Sequence, residues 1–199
     1  WKRKYNVLGF SKNPGLPGNF IFTSMKEKQE DMFKWTRDIY NVLKHETDEF
    51  VLFGLDDYLP IDFFNKKLFD KIFQYIKNNP MVGRYELGYG ASQKKKIEMI
   101  DTELGLFKYD QEAPYRVSCQ ISLWRTEYLL NVLNNNWTPW EFEIVGSKKV
   151  NNDKHEIIGT IGQYAWRWIE ESALSKRHPN NINVLGLKPA DLEELIKLG

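Results

Sequence analysis

Apolar positions along this chain come in two patterns: short uncharged runs, and residues spaced three or four apart. Their order predicts strands alternating with helices. Val7-Leu8-Gly9-Phe10 and Phe20-Ile21-Phe22 read as short strands, separated by a Gly/Pro-rich loop from Ser11 to Asn19. Ser24 and Glu27 have capping-box spacing, and Met32, Trp35, Ile39 and Val42 follow on one helical face that ends near His45. The run Phe50-Val51-Leu52-Phe53-Gly54-Leu55 predicts a strand buried on both faces, as in a mainly parallel sheet. Phe64, Leu68, Ile72 and Tyr75 then repeat at helical spacing until Asn78-Asn79-Pro80 stops them.

Beyond that helix, Val82 to Leu87 reads as a strand and Gly88 to Lys96 as a Gly-, Ser- and Lys-rich loop. Ile97–Met99 and Leu106–Tyr109 suit a hairpin, and Val117–Trp124 alternates as a strand. Thr126 is placed to cap a helix bearing Leu129, Leu130 and Leu133, which Asn134-Asn135-Asn136 breaks. Thr138, Pro139 and Glu141 form a further helix start, with proline at the first helical position and an expected end at Gly146. Lys148–Lys154 reads as a loop, Ile157–Ile161 as a strand, and Tyr164–Ser175 and Pro189–Leu198 as helices, the last packing Leu192, Leu195 and Ile196 inward. The βαβ-like order predicts an α/β domain spanning the 199 residues.

Composition narrows the function. Lys plus Arg number 28 against 27 Asp plus Glu, so a net charge of +1 supplies no field to draw in nucleic acid. No apolar stretch reaches the ~20 residues that span a bilayer. Single Cys119 excludes an internal disulfide and fits a reducing, cytoplasmic setting, while Trp1 in place of Met points to a processed or truncated product. Seven Trp, ten Tyr and twelve Phe are more large rings than one core usually takes, so some are expected to line surfaces, where polar-edged rings suit sugars and nucleobases.

The strand ending at Leu55 runs into Asp56-Asp57-Tyr58. Two adjacent carboxylates at the carboxyl end of a sheet strand repel each other unless a cation neutralises them, which suggests a divalent metal holding a phosphate-bearing substrate. A solvated turn before Pro60 is the plainer alternative. His45, His155 and His178 lack metal-ligand spacing, only His155 having any prospect of reaching such a site, and no nucleophile elbow, phosphate-loop lysine or zinc signature occurs.

Two blocks together resemble glycosyltransferases of the GT-A fold, as found in bacterial surface-polysaccharide enzymes and large DNA viruses. One is the Trp35 helix leading into Phe50–Tyr58; the other is Gln120-Ile121-Ser122-Leu123-Trp124-Arg125, Tyr128-Leu129-Leu130 and Trp137-Thr138-Pro139-Trp140-Glu141-Phe142-Glu143. The resemblance spans Val7 to Ser147. It implies a nucleotide-sugar donor, a uridine diphosphate sugar first among them, and an Asp-X-Asp-type motif holding Mn²⁺ or Mg²⁺. Gly54 stands where a first acid might, so Asp56 and Asp57 would carry the metal, Asp56 also meeting the donor. It further implies that the chain opens near the family's second strand, so either the first nucleotide-binding unit lies outside this sequence or Val7 is displaced by one strand.

The same resemblance points to metal-dependent transfer of a hexose to a glycan hydroxyl, with inversion. Glu141, flanked by Trp140, is the first candidate for the base that takes the acceptor proton, and Glu143 the reserve. A plain capping role for Glu141 with Thr138 competes with this. Arg84, Arg116 and Lys94-Lys95-Lys96 are candidate diphosphate contacts, and Tyr58, Gln120, Trp124 and Trp140 candidate acceptor contacts, each set against core packing or a solvated surface. The rival functions are a Mg²⁺-dependent nucleotidyltransferase and a non-catalytic carbohydrate-binding domain.

Overall fold

The computed structural model describes residues 5–9, 20–24, 34–55, 58–60, 64–87, 97–166 and 168–170. Its centre is a six-stranded sheet in the order β3 (Phe50–Phe53), β8 (Ser122–Arg125), β5 (Val82–Glu86), β9 (Glu156–Thr160), β7 (Leu106–Tyr109) and β6 (Ile97–Asp101). The expected mainly parallel sheet is in fact mixed. Only β5 and β9 pair in parallel; β3–β8, β8–β5, β9–β7 and β7–β6 are antiparallel. The reason lies in the connections. Helix α2 (Lys66–Asn78) carries the chain from β3 to β5, which keeps those two strands parallel, but β8 enters between them from an irregular segment and runs the other way.

Two small sheets complete the described part: β1 (Tyr5–Gly9) pairs in parallel with β2 (Phe20–Ser24), and β4 (Tyr58–Pro60) pairs antiparallel with β10 (Trp168–Glu170). Ser24 therefore ends a strand, and the helix expected to start there is described as α1 (Trp35–Leu43), with Glu27 outside the described residues. Trp168–Glu170 is likewise a strand where a helix was expected, since Trp-Ile is β-favouring and β4 offers a ladder for it. The helix expected at Pro189–Leu198 lies outside the described residues.

Pleating separates two cores. Val51, Phe53, Trp124, Phe107, Tyr109 and Ile157 face α1, α3 (Thr126–Leu133) and α4 (Pro139–Lys149), which contribute Trp35, Ile39, Leu129, Val132 and Phe142. On the other face Tyr85, Leu106, Leu123 and Ile158 meet Leu68, Ile72 and Ile76 of α2. The four-residue spacing of those last three forms its buried stripe. Asn65 caps α2 by accepting from the Leu68 amide at 3.1 Å. Thr126 is the first residue of α3 rather than its cap, and its hydroxyl donates to the Asp48 carbonyl.

Helix α4 runs past Gly146 to Lys149. Gly146 is tolerated inside it because Val117 and Val132 side chains pack where a Cβ would stand, at 3.3 and 3.5 Å.

Candidate functional site

Strands β3, β5 and β9 point the same way, so Phe53, Glu86 and Thr160 share one edge of the sheet. Asp56 and Asp57 come directly after Leu55 in the sequence and lie outside the described residues; ahead of them stands a described frame. Gly54 begins it. A Cβ there would meet Ile121 Cδ1 and stand 3.1 Å from the Ile121 Cα, so a side chain at this position requires the Ile121 side chain to turn and its backbone to give by a few tenths of an ångström. The Leu55 amide then donates to the Cys119 carbonyl at 3.3 Å, and the Cys119 amide donates to Glu143 Oε1 at 2.8 Å.

Helix α4 holds that carboxylate in place. One turn after Glu143, Ser147 Oγ accepts from the Val117 amide at 3.0 Å and donates to the Val117 carbonyl at 3.1 Å. The irregular strip Val117–Cys119 is thus fastened along one ridge of the helix at two alternate residues. At the other end Thr138 and Glu141 form a reciprocal capping box. Glu141 Oε2 accepts from the Thr138 amide at 2.9 Å and from its hydroxyl at 3.0 Å, while Thr138 Oγ1 accepts from the Glu141 amide. Trp137 anchors the start to α1, exchanging hydrogen bonds with the backbone and hydroxyl of Thr36. The carboxylate tied to the strand exit is therefore Glu143, and the capping role of Glu141 is realised.

Several expected site residues belong to the core instead. Trp124 is fully buried, stacked on Tyr128 and packed against Phe142, so it offers no face to an acceptor sugar. Arg84 is equally buried. Its Nε donates to Ser122 Oγ at 3.0 Å and its Nη1 to the Arg116 carbonyl at 3.0 Å, with Glu86 Oε2 3.8 Å from Nη2 and the Trp124 ring beneath. Arg116 donates to the Asp110 and His155 carbonyls and lies 3.5 Å from Asp153. Both guanidiniums are buried and bonded to protein carbonyls, with Arg84 Nη2 and Arg116 Nε lacking a hydrogen-bond partner among the described residues. Lys94-Lys95-Lys96 lie outside the described residues.

Others remain accessible. Trp140 is 63% exposed, the most exposed large apolar side chain among the described residues. Tyr58 is half-buried at the start of β4, opposite Glu170. Gln120 is half-buried, with its amide bonded to Ser118 Oγ and its carbonyl accepting from Ser122 Oγ. His155 precedes β9 at the opposite edge of the sheet and cannot share a site at the β3 exit. A groove of about 540 Å³ lined by Glu98, Lys108, Gln111, Lys154 and Glu156 lies at that far edge as well.

Sequence reasoning passed over Glu86, 1% exposed at the end of β5, whose Oε2 accepts from the Tyr109 hydroxyl at 3.0 Å. Replacing Arg84 with Met should cost about 3–5 kcal/mol, because it strands this buried carboxylate, whereas adding Glu86→Leu should restore most of the loss. Urea unfolding of the single and double variants reads this directly; an Arg84→Met protein of undiminished stability would return the residue to the list of ligand contacts.

Among the described residues no group of three or more His, Cys, Asp or Glu side chains is arranged to hold a metal ion. Two adjacent aspartates do offer the hard oxygen donors that Mg²⁺ and Mn²⁺ prefer. Comparison of the chain with protein-family models, with curated proteins and with solved structures finds no match.

Proposed function

We propose that this domain transfers a monosaccharide from a nucleoside diphosphate sugar, a uridine diphosphate sugar in the first instance, to a glycan hydroxyl with inversion. One observation carries the reading: the two separated blocks that resemble such enzymes meet at one place. Strands β3 and β8 pair residue for residue from Phe50↔Arg125 to Phe53↔Ser122, and the chain leaving β3 is hydrogen-bonded through Cys119 to Glu143. A sheet edge whose exit strand runs on in sequence to two acids, and is tied through Cys119 to Glu143, suits a reaction that separates charge.

In this reading Asp56 and Asp57 would hold Mn²⁺ or Mg²⁺, which would supply positive charge to offset the negative charge growing on a departing diphosphate. Glu143 takes the proton from the attacking hydroxyl, because Glu141 already serves its helix cap. Tyr58 offers a ring face to the acceptor sugar.

The test is release of nucleoside diphosphate from a panel of nucleotide sugars with Mn²⁺ and mixed glycan acceptors. Turnover should vanish on chelation and fall by about 10²–10³-fold or more in Asp57→Ala, with the unfolding midpoint unchanged. Metal-independent turnover would refute the proposal. Stabilisation by nucleoside triphosphates but not by nucleotide sugars would favour a nucleotidyltransferase, and glycan binding indifferent to both metal and nucleotide would favour a binding domain.

A further inference from the structure

The outward faces of three helices are ordinary. The exposed residues are Asn41 on α1; Lys66, Lys67, Asp70, Lys71, Gln74, Lys77 and Asn78 on α2; and Glu127 and Asn131 on α3. Helix α4 departs from this. Opposite its buried Phe142 and Gly146 it presents Trp140 at 63% exposure, Ile144 at 50% and Val145 at 40%, followed at its carboxyl end by exposed Lys148 and Lys149. Trp140, Ile144 and Lys148 are four apart and so form one ridge, with Val145 beside it, while Lys149 lies round the helix with its Nζ donating to the Asn131 carbonyl at 2.9 Å. Glu141 is the acid on this face, and its carboxylate turns back onto Thr138. A surface helix that is apolar on both sides has a second face meant for something other than water.

We propose that the outer face of α4 rests on an anionic lipid surface. Charge sets the sign of the partner, since Lys148 closes the apolar ridge and the nearby acid Glu141 is engaged. Extent sets its kind: a stable protein interface needs about 20–30 residues a side, and this patch offers four. A bilayer demands less. A Trp at headgroup depth, two aliphatic side chains just below it and a lysine reaching phosphates give reversible adsorption without a spanning segment. This is a property of the helix surface and does not depend on the transfer reaction proposed above.

Co-sedimentation of the full chain with vesicles, measured without nucleotide sugar, tests it. Partitioning onto phosphatidylcholine vesicles containing about one-third phosphatidylglycerol should exceed that onto pure phosphatidylcholine by about fivefold, the worth of one lysine near such a surface, and should weaken with salt. Ile144→Ser and Lys148→Glu, both at exposed positions and checked for folding by circular dichroism, should each lower it by about tenfold. Equal partitioning onto both vesicles, or variants that bind like the parent protein, would overturn the proposal. So would a dimer in solution that Ile144→Ser dissociates, because the face would then belong to a second copy.

Discussion

Glu143→Gln should lower the rate of glycosyl transfer by about a thousandfold while leaving the protein folded and the acceptor's KM nearly unchanged, whereas Glu141→Gln should leave the rate within a few-fold of the parent. The first figure is the ordinary contribution of a positioned general base. The contrast comes from hydrogen bonding. A glutamine at 143 keeps a carbonyl oxygen for the Cys119 amide, now at 2.8 Å from Glu143 Oε1, so the strip tied to Leu55 stays where it is and only proton acceptance is lost. At 141 a glutamine still closes the capping box with Thr138, because that motif needs an acceptor and not a charge. Glu143→Ala is the sharper structural probe. It frees a Cys119 amide that is out of water and should add about 1–3 kcal/mol of destabilisation to the kinetic loss. Steady-state transfer rates beside urea unfolding of the three variants separate the two effects. A Glu141→Gln enzyme slowed as much as Glu143→Gln would move the base back to the cap.

How much of this frame could be read from the sequence depends on the range of the contacts involved. Helix α2, the Thr138 cap of α4 and the strand ahead of Asp56 rest on residues within a few positions of one another, and local periodicity and capping chemistry expose them, although β3 is the sheet's edge strand with Leu52 49% exposed rather than buried on both faces. The antiparallel entry of β8 between β3 and β5 rests on no local signal, because the irregular strip before it is held by Ser147 and Glu143 from a later helix. Arg84 and Arg116 misled for a similar reason. A lone arginine in sequence reads as a surface charge, yet each is buried by carbonyls 32 and 39 residues away, and Glu86 and Asp153 supply the countercharge. Gly54 stands where a first acid was expected, and Ile121 packs closely over it. The alternation from Val117 to Trp124 marked a strand, but only Ser122–Arg125 is one while Val117–Ile121 is irregular, and alternation does not say that both sheet faces are covered.

Alkaline solution should unfold this protein steeply, because three of its ten tyrosines are phenols that the fold keeps from ionising. Burial is the leading cause at Tyr85, Tyr109 and Tyr128, each at most 3% exposed, and raises all three above the usual tyrosine range. Nearby carboxylates push the same way: Glu86 beside Tyr109, and Asp153 beside Tyr128. In the unfolded chain these phenols lose their protons near pH 10, while in the folded chain they retain them. Above that pH the unfolded state therefore binds fewer protons, and stability must fall as pH rises. Below pH 10 the contribution is whole. Each phenol costs about 1.4 kcal/mol per pH unit beyond it, so the three together remove about 4 kcal/mol per unit. Two units are then comparable with the whole stability of a typical domain, about 5–15 kcal/mol. Absorbance at 295 nm should show the exposed tyrosines titrating smoothly and these three ionising only with loss of near-ultraviolet circular dichroism. Tyr128→Phe, which keeps the ring against Trp124 and His155, should make the alkaline slope shallower by about a third. A urea midpoint that stays level from pH 9 to beyond pH 11 would mean that water reaches these hydroxyls, and that the core between β5, β7 and α3 is looser than its packing implies.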